Sequence, residues 1–245
     1  MTNRYVLIRG LVRGNGHWGE FLNVLKSVDS TCEVELYEIP GNGTRFEEIT
    51  PTNPLDVIND FRKRSEFCRL QKPFILLGVS LGGMLALKWL EQYPADIQKT
   101  FIVNSSLHAL SPFYRRFNSR NYFDVIRILL TTSKELREHK ILKLTSNRVD
   151  LDSKTIQQLV LFSEKYPTSR ANFFKQLTLA RNIEVKNELR QPINVIQSEK
   201  DRLVDPDCSL RLSLYLESSL ITHPTAGHDI PLDDPNWLAA LITKN

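Results

Sequence analysis

A serine hydroxyl becomes an attacking group only when a neighbouring base takes its proton and an acid orients that base. The residues that could do this here are Ser80, His228 and Asp201. Ser80 lies in Gly78-Val79-Ser80-Leu81-Gly82. The apolar run Phe74-Ile75-Leu76-Leu77 precedes it, and Leu81, Met84, Leu85, Leu87 and Leu90 follow at helical spacing. The pattern predicts a strand, a sharp turn that tolerates only glycine on either side of the serine, and a helix. The Ser80 hydroxyl would then sit at a helix N-terminus, where unpaired N–H groups and the helix dipole favour the negative charge that forms when an acyl carbonyl is attacked.

Two downstream loops could supply the partners, since functional groups on an α/β sheet gather after strand C-termini. After the strand-like Ile193 to Gln197 comes Ser198-Glu199-Lys200-Asp201-Arg202-Leu203-Val204-Asp205-Pro206. Asp201 comes just after the strand. Asp205 precedes Pro206 and reads as a helix N-cap, and Glu199 is an alternative acid. After the short strand Leu220 to Thr222 comes His223-Pro224-Thr225-Ala226-Gly227-His228. His228 is preferred, because Gly227 permits a tight loop and a helix follows; His223, at the strand's own end, is its rival. His17, His108 and His139 read as surface or capping residues. Cys32, Cys68 and Cys208 are few, far apart and without metal-ligand spacing, so the sequence predicts packing thiols in a reduced compartment, with no metal and no cofactor.

The elements that must position these residues alternate. Strands are expected at Tyr5 to Ile8, Cys32 to Ile39, Phe74 to Leu77, Thr100 to Val103, Ile193 to Gln197 and Leu220 to Thr222. Helices are expected at Trp18 to Val28, Leu55 to Leu70, after Ser80, at Cys208 to Leu216 and at Asn236 to Ile242. Such alternation predicts a parallel sheet with helices on both faces. From His108 to Asn187 the pattern is helical throughout, with Phe123, Ile126, Leu129 and Leu130 in one segment and Ile156, Leu159, Val160 and Phe162 in another. That is far more chain than a crossover needs. Residues 108–187 therefore read as a helical cap inserted into a core of residues 1–107 and 188–245.

The chain of 245 residues, 41% hydrophobic and 24% charged, has the composition of a globular protein. Its first ten residues carry only a four-residue apolar run, too short for a signal or membrane-spanning segment, so a cytoplasmic location is expected. No zinc spacing, RNP-type segment or helix-turn-helix pattern points to nucleic acid. Charge is uneven: residues 108–187 hold 15 Lys/Arg against 7 Asp/Glu, whereas the rest holds 17 against 21. A basic cap could draw in an anionic substrate or an acidic carrier protein. Arg115, Arg116, Arg120 and Arg127 are the candidate substrate contacts; the plainer reading is a solvated helical face. Aromatic residues are dense in the same segment, and some should line an apolar acyl pocket.

Over nearly its whole length the chain resembles the α/β-hydrolase superfamily. The likeness rests on Gly78-Val79-Ser80-Leu81-Gly82-Gly83, on Asp201-Arg202-Leu203-Val204-Asp205-Pro206, on Ala226-Gly227-His228, on the first-strand turn Arg9-Gly10-Leu11, and on the order serine, aspartate, histidine. Within it, size, Ser80-Leu81-Gly82-Gly83 and the segment from Gly10 to Trp18 are similar to small capped carboxylesterases such as the pimeloyl-acyl-carrier-protein methyl ester esterases. Those usually carry His-Gly after the first strand, where this chain has Arg9-Gly10. The resemblance implies a mostly parallel six-stranded sheet with an α-helical cap and cleavage of a carboxylic ester or thioester through an acyl-enzyme. It implies Ser80 as nucleophile, His228 as base and Asp201 as its orienting acid. The backbone N–H groups of Leu11 and Leu81 would form an oxyanion hole, with Trp18 near the substrate. A receptor-type protein that keeps the scaffold with little turnover is the alternative.

Overall fold

The computed structural model describes residues 2–148, 153–186 and 188–244. Six strands form one sheet: β1 (Arg4–Ile8), β2 (Glu33–Tyr37), β3 (Phe74–Val79), β4 (Ile97–Val103), β5 (Ile193–Ser198) and β6 (Ser219–His223). Their order is β2-β1-β3-β4-β5-β6 and every neighbouring pair is parallel. The six-stranded parallel sheet expected from sequence is therefore present. β3 lies inside the sheet and all six of its residues are buried. Its unbroken apolar run reflects packing on both faces rather than on one.

Helices α1 (Phe21–Val28) and α12 (Pro235–Lys244) cover one face, burying Phe21, Leu25, Leu238 and Ile242 against Leu7, Leu77 and Phe101. On the other face lie α2 (Pro54–Arg64), the short α3 (Glu66–Arg69), α4 (Leu81–Gln92) and α10 (Asp207–Tyr215), with Phe61, Leu85, Trp89 and Leu212 packed on Val6, Leu76 and Ile102. The one-turn α11 (Ile230–Asp233) precedes α12.

Two expected helices are each interrupted. The segment from Trp18 to Val28 is a 3-10 turn ending at Trp18 and then α1, because Gly19 leaves helical space with φ 53°. The segment from Leu55 to Leu70 breaks at Ser65. There the Glu35 carboxylate accepts from Ser65 Oγ and from the N–H groups of Glu66 and Phe67, while Ser65 Oγ accepts from Cys68 N. A carboxylate that satisfies orphan N–H groups makes a new helix start favourable at this point.

Between β4 and β5 run α5 (Phe113–Arg116), α6 (Tyr122–Leu130), α7 (Lys134–Thr145), α8 (Ser153–Lys165) and α9 (Arg170–Asn182). No strand occurs among the described residues of this insertion, and its expected last residue, Asn187, lies outside them. The apolar residues of α6 do not form a single inward stripe. Ile128 is buried and Val125 and Leu129 face a cavity, but Phe123, Ile126 and Leu130 are exposed. No helix among the described residues is long and apolar enough to cross a membrane.

Candidate active site

Ser80 sits between β3 and α4 with φ 55° and ψ −118°. This is backbone space that L-residues rarely occupy, and it is held by Ser80 N donating to Val103 O at 2.8 Å and Ser105 Oγ donating to Ser80 O at 2.7 Å. The two flanking glycines are required by close approach rather than by φ: a Cβ on Gly78 would strike the Gly82 carbonyl, and one on Gly82 would strike the Ile8 carbonyl.

His228 and Asp201 meet from separate loops. His228 Nδ1 lies 2.7 Å from Asp201 Oδ2, and both side chains are buried. The other aspartate oxygen, Oδ1, accepts from Leu203 N at 2.8 Å and Val204 N at 2.9 Å, so the carboxylate cannot rotate away from the imidazole. With its Nδ1 hydrogen engaged by a carboxylate, the ring's Nε2 carries the lone pair. Ser80 and His228 line one cavity of about 690 Å³, and no hydrogen bond joins the two side chains among the described residues. Val79, Leu81, Gly10 and Leu11 line the same cavity.

The rival residues lie elsewhere. His223 Nδ1 accepts from Ala226 N, and its Nε2 lies 3.2 Å from Asp234. It shapes the histidine loop from below and does not line the cavity. Asp205, expected as the N-cap, stands one residue before it: the N-cap of α10 is Pro206, and Asp205 Oδ1 accepts from Asp207 N, the first residue of the helix. Glu199 is exposed. Gly227 has no positive φ; its need is room, since a Cβ there would lie 2.8 Å from Thr145 O of α7.

Of the expected substrate contacts, only Arg116 lines the cavity. Trp18 is fully buried in the core with the Arg9 guanidinium 4.9 Å from its ring, and Arg9, not Trp18, lines the cavity. Arg115 follows a different direction around the single turn of α5 and binds Asp207 at 2.5 Å. Arg120 is exposed, and Arg127 is exposed beside Asp124, 3.5 Å away.

Sequence reasoning missed a set of buried polar residues that fix the loop after β1. Arg9, in the place of the usual histidine, makes a two-pronged ion pair with Asp229, at 3.0 and 2.5 Å, with both side chains buried. Burial alone would raise the Asp229 carboxyl, but the Arg9 guanidinium overrides it and holds the group below the usual carboxylate range. Arg13 pairs with Glu138 of α7 at 2.5 Å, and Glu138 also accepts from Ser163 of α8. Val12, at φ 52°, donates its N–H to Gln176 Oε1 of α9 at 2.9 Å. His17 bridges Gly14 and Ser163, and burial with the nearby Arg13 and Arg9 pushes its pKa well down, leaving it neutral. Asn104, at φ 45° just past β4, donates to the His228 carbonyl at 2.8 Å and to Ser198 Oγ, and accepts from Ser198 N. The signal available in sequence was the charged Arg9 and Arg13 flanking a glycine turn beside the first strand.

A six-stranded parallel sheet carrying a strained serine after its third strand, with an aspartate and a histidine in the loops after its last two strands, defines the α/β-hydrolase class. The family model for serine aminopeptidases of the S33 type matches residues 47–235, more than half of the chain, and the protein belongs to that family of hydrolases. Among relatives, monoacylglycerol lipase ABHD6 of Mus musculus is 22% identical over 93% of this chain and 71% of its own length, and that of Homo sapiens is also 22% identical with the same coverage. Among solved structures, a putative lipase from Acinetobacter baumannii superposes with TM-score 0.77 at 19% identity, covering 99% of this chain and 83% of that one. The esterase RhEst1 from Rhodococcus sp. gives TM-score 0.77 at 15% identity, covering 99% and 90%.

Proposed function

We propose that the protein is a serine esterase that cleaves carboxylic esters through an acyl-enzyme, with residues 108–187 acting as a cap over the reacting centre. The observation that carries this reading is the His228 ring, tied at Nδ1 to a doubly anchored Asp201 carboxylate, with Nε2 unpartnered among the described residues in the cavity that also holds Ser80. Ser80 Oγ attacks the acyl carbonyl as His228 Nε2 takes its proton. The N–H groups of Leu81 and Leu11 receive the oxyanion. His228 then delivers the proton to the leaving alkoxide, and a water activated by the same nitrogen releases the acid. Asp201 keeps its charge throughout and stabilises the imidazolium.

Ester rather than peptide chemistry is favoured by the charge of the cavity. An aminopeptidase must seat a cationic amino terminus. Among the described residues the acidic side chains on the lining are Glu138 and Asp229, bound to Arg13 and Arg9, while further cations face the same space. The monoacylglycerol lipases and esterases among the similar proteins agree with this reading. An acidic carrier protein has no comparable support: Arg115 is occupied by Asp207, and Arg120 and Arg127 lie outside the cavity.

Labelling with a fluorophosphonate probe tests the proposal. Ser80 should be modified, the Ser80→Ala protein should not, and turnover of short p-nitrophenyl esters should fall in parallel. A wild-type protein that is neither labelled nor active on such esters would favour the receptor-type alternative.

A further inference from the structure

The main cavity is lined mostly by apolar side chains but carries an excess of cations. After the two ion pairs are set aside, Arg116, Lys134, Arg137, Arg170 and Arg181 remain on its lining. Lys134, Arg170 and Arg181 are exposed side chains that water can solvate, Lys134 also donating to the Glu164 carbonyl, and Arg137 directs Nε and Nη2 at the single carbonyl of Thr131. Arg116 differs. Its Nε donates to Ser106 Oγ at 3.1 Å and its Nη2 to Ala180 O at 3.0 Å, with Met84 Sδ 3.5 Å away, and no carboxylate among the described residues reaches it. Its Nη1 has no partner among the described residues. Burial lowers its pKa from the ordinary arginine value without a carboxylate to restore it. A guanidinium fixed by three contacts, half-withdrawn from water and lacking a counter-charge among the described residues, is poised for an anion brought in from outside.

Its position sets the geometry of that anion. Met84 lies one helical turn beyond Ser80 on α4, about 6 Å along the axis. The anionic group of a bound molecule would thus be only a short chain away from the carbonyl under attack. One uncompensated positive charge with one free terminal nitrogen matches a monoanionic carboxylate better than a phosphate dianion. We infer that the substrate is an ester that also bears a carboxylate a few carbons from the scissile bond, and that Arg116 is the specificity-determining residue that seats it. This rests on the serine-esterase reading and names its substrate class.

The test compares methyl half-esters of C4 to C8 dicarboxylic acids with the matching ω-carboxamide and ω-phosphonate methyl esters, by the methanol that the 245-residue protein releases from each. The wild type should prefer one or two lengths of the ω-carboxylate over its carboxamide by about 10–100-fold in kcat/KM, the range a charge-assisted contact supplies. Arg116→Gln should reduce that ratio to near unity, Arg116→Lys should keep part of it, and Lys143→Gln, which removes an exposed charge away from the cavity, should keep all of it. An equal rate on both esters, a ratio that survives Arg116→Gln, or a preference confined to the phosphonate would overturn the assignment. Calorimetric titration of Ser80→Ala protein with the half-amides of the same diacids gives a reading independent of turnover: Arg116→Gln added to this background should weaken binding at least about tenfold, and unchanged binding would also overturn it. Failure of the parent reading looks different, since Ser80 would then resist the fluorophosphonate whatever happens at Arg116.

Discussion

At the scale of single residues, the site depends on two carboxylates with opposite tasks. Asp201 accepts three hydrogen bonds and holds the His228 ring; Asp229, the next residue after that histidine, turns the other way and neutralises Arg9. Asp201→Asn should leave the protein folded but lower kcat about 10⁴-fold, because an amide at that position favours the wrong imidazole tautomer. Stopped-flow and steady-state ester hydrolysis would detect it, and a loss below about tenfold would remove Asp201 from the role. Asp229→Asn acts instead on stability. Leaving the Arg9 guanidinium buried without its counter-charge should cost about 3–5 kcal/mol in urea unfolding, whereas Arg9→Met with Asp229→Leu should recover much of it. Recovery is the informative result, since it separates an ion pair kept for positioning from one kept for stability.

At the scale of elements, the loop that offers Leu11 N is held largely by residues from the insertion. Gln176 of α9 takes the Val12 N–H, and Glu138 of α7 takes Arg13. Gln176→Leu would orphan a backbone donor one residue from the proposed oxyanion hole, at a cost of about 1–3 kcal/mol. It should lower kcat for esters of every chain length by a similar factor and leave KM nearly unaltered; a change in KM alone would mean that the loop is held without Gln176. Much of this scale was legible beforehand. The six strands, the turn at Ser80 and both late loops followed from apolar runs, glycine positions and chain order, which are local signals. What was not legible depends on tertiary partners: the break at Ser65 arises from a carboxylate on β2, the positive φ of Asn104 from a histidine loop 123 residues or more away, and the outward-facing Phe123, Ile126 and Leu130 from where the cavity lies. Arg115 and Arg116 are adjacent and identical in sequence, and only three-dimensional packing sends one to Asp207 and the other to the cavity.

At the scale of the whole molecule, core and insertion share a pH-sensitive seam. His17 is buried and neutral between Gly14 and Ser163, with its folded pKa pushed below its unfolded value near 6.5. A depressed folded pKa means that the unfolded chain binds the proton first, so stability is intact above pH 6.5 and declines as pH falls below it, by up to about 1.4 kcal/mol per unit. The depressed Asp229 carboxyl adds a second loss, which begins only below about pH 4, its unfolded value. Urea midpoints between pH 7 and 5 should therefore fall in the wild type and fall less in His17→Gln; parallel slopes would show that another group carries the effect. The end of α7 makes a further demand on the molecule. Thr145 O accepts from Asp229 N, Ser146 and Asn147 bind the Asp233 carboxylate, and the Asn147 amide reaches the carbonyls of Lys200 and Thr225. The proposed cap is thereby stitched to the loops that carry Asp201 and His228. Swapping it wholesale for a relative's equivalent would strip those loops of their fastenings, so substrate range is better re-engineered from within the cavity wall than by exchanging the whole segment.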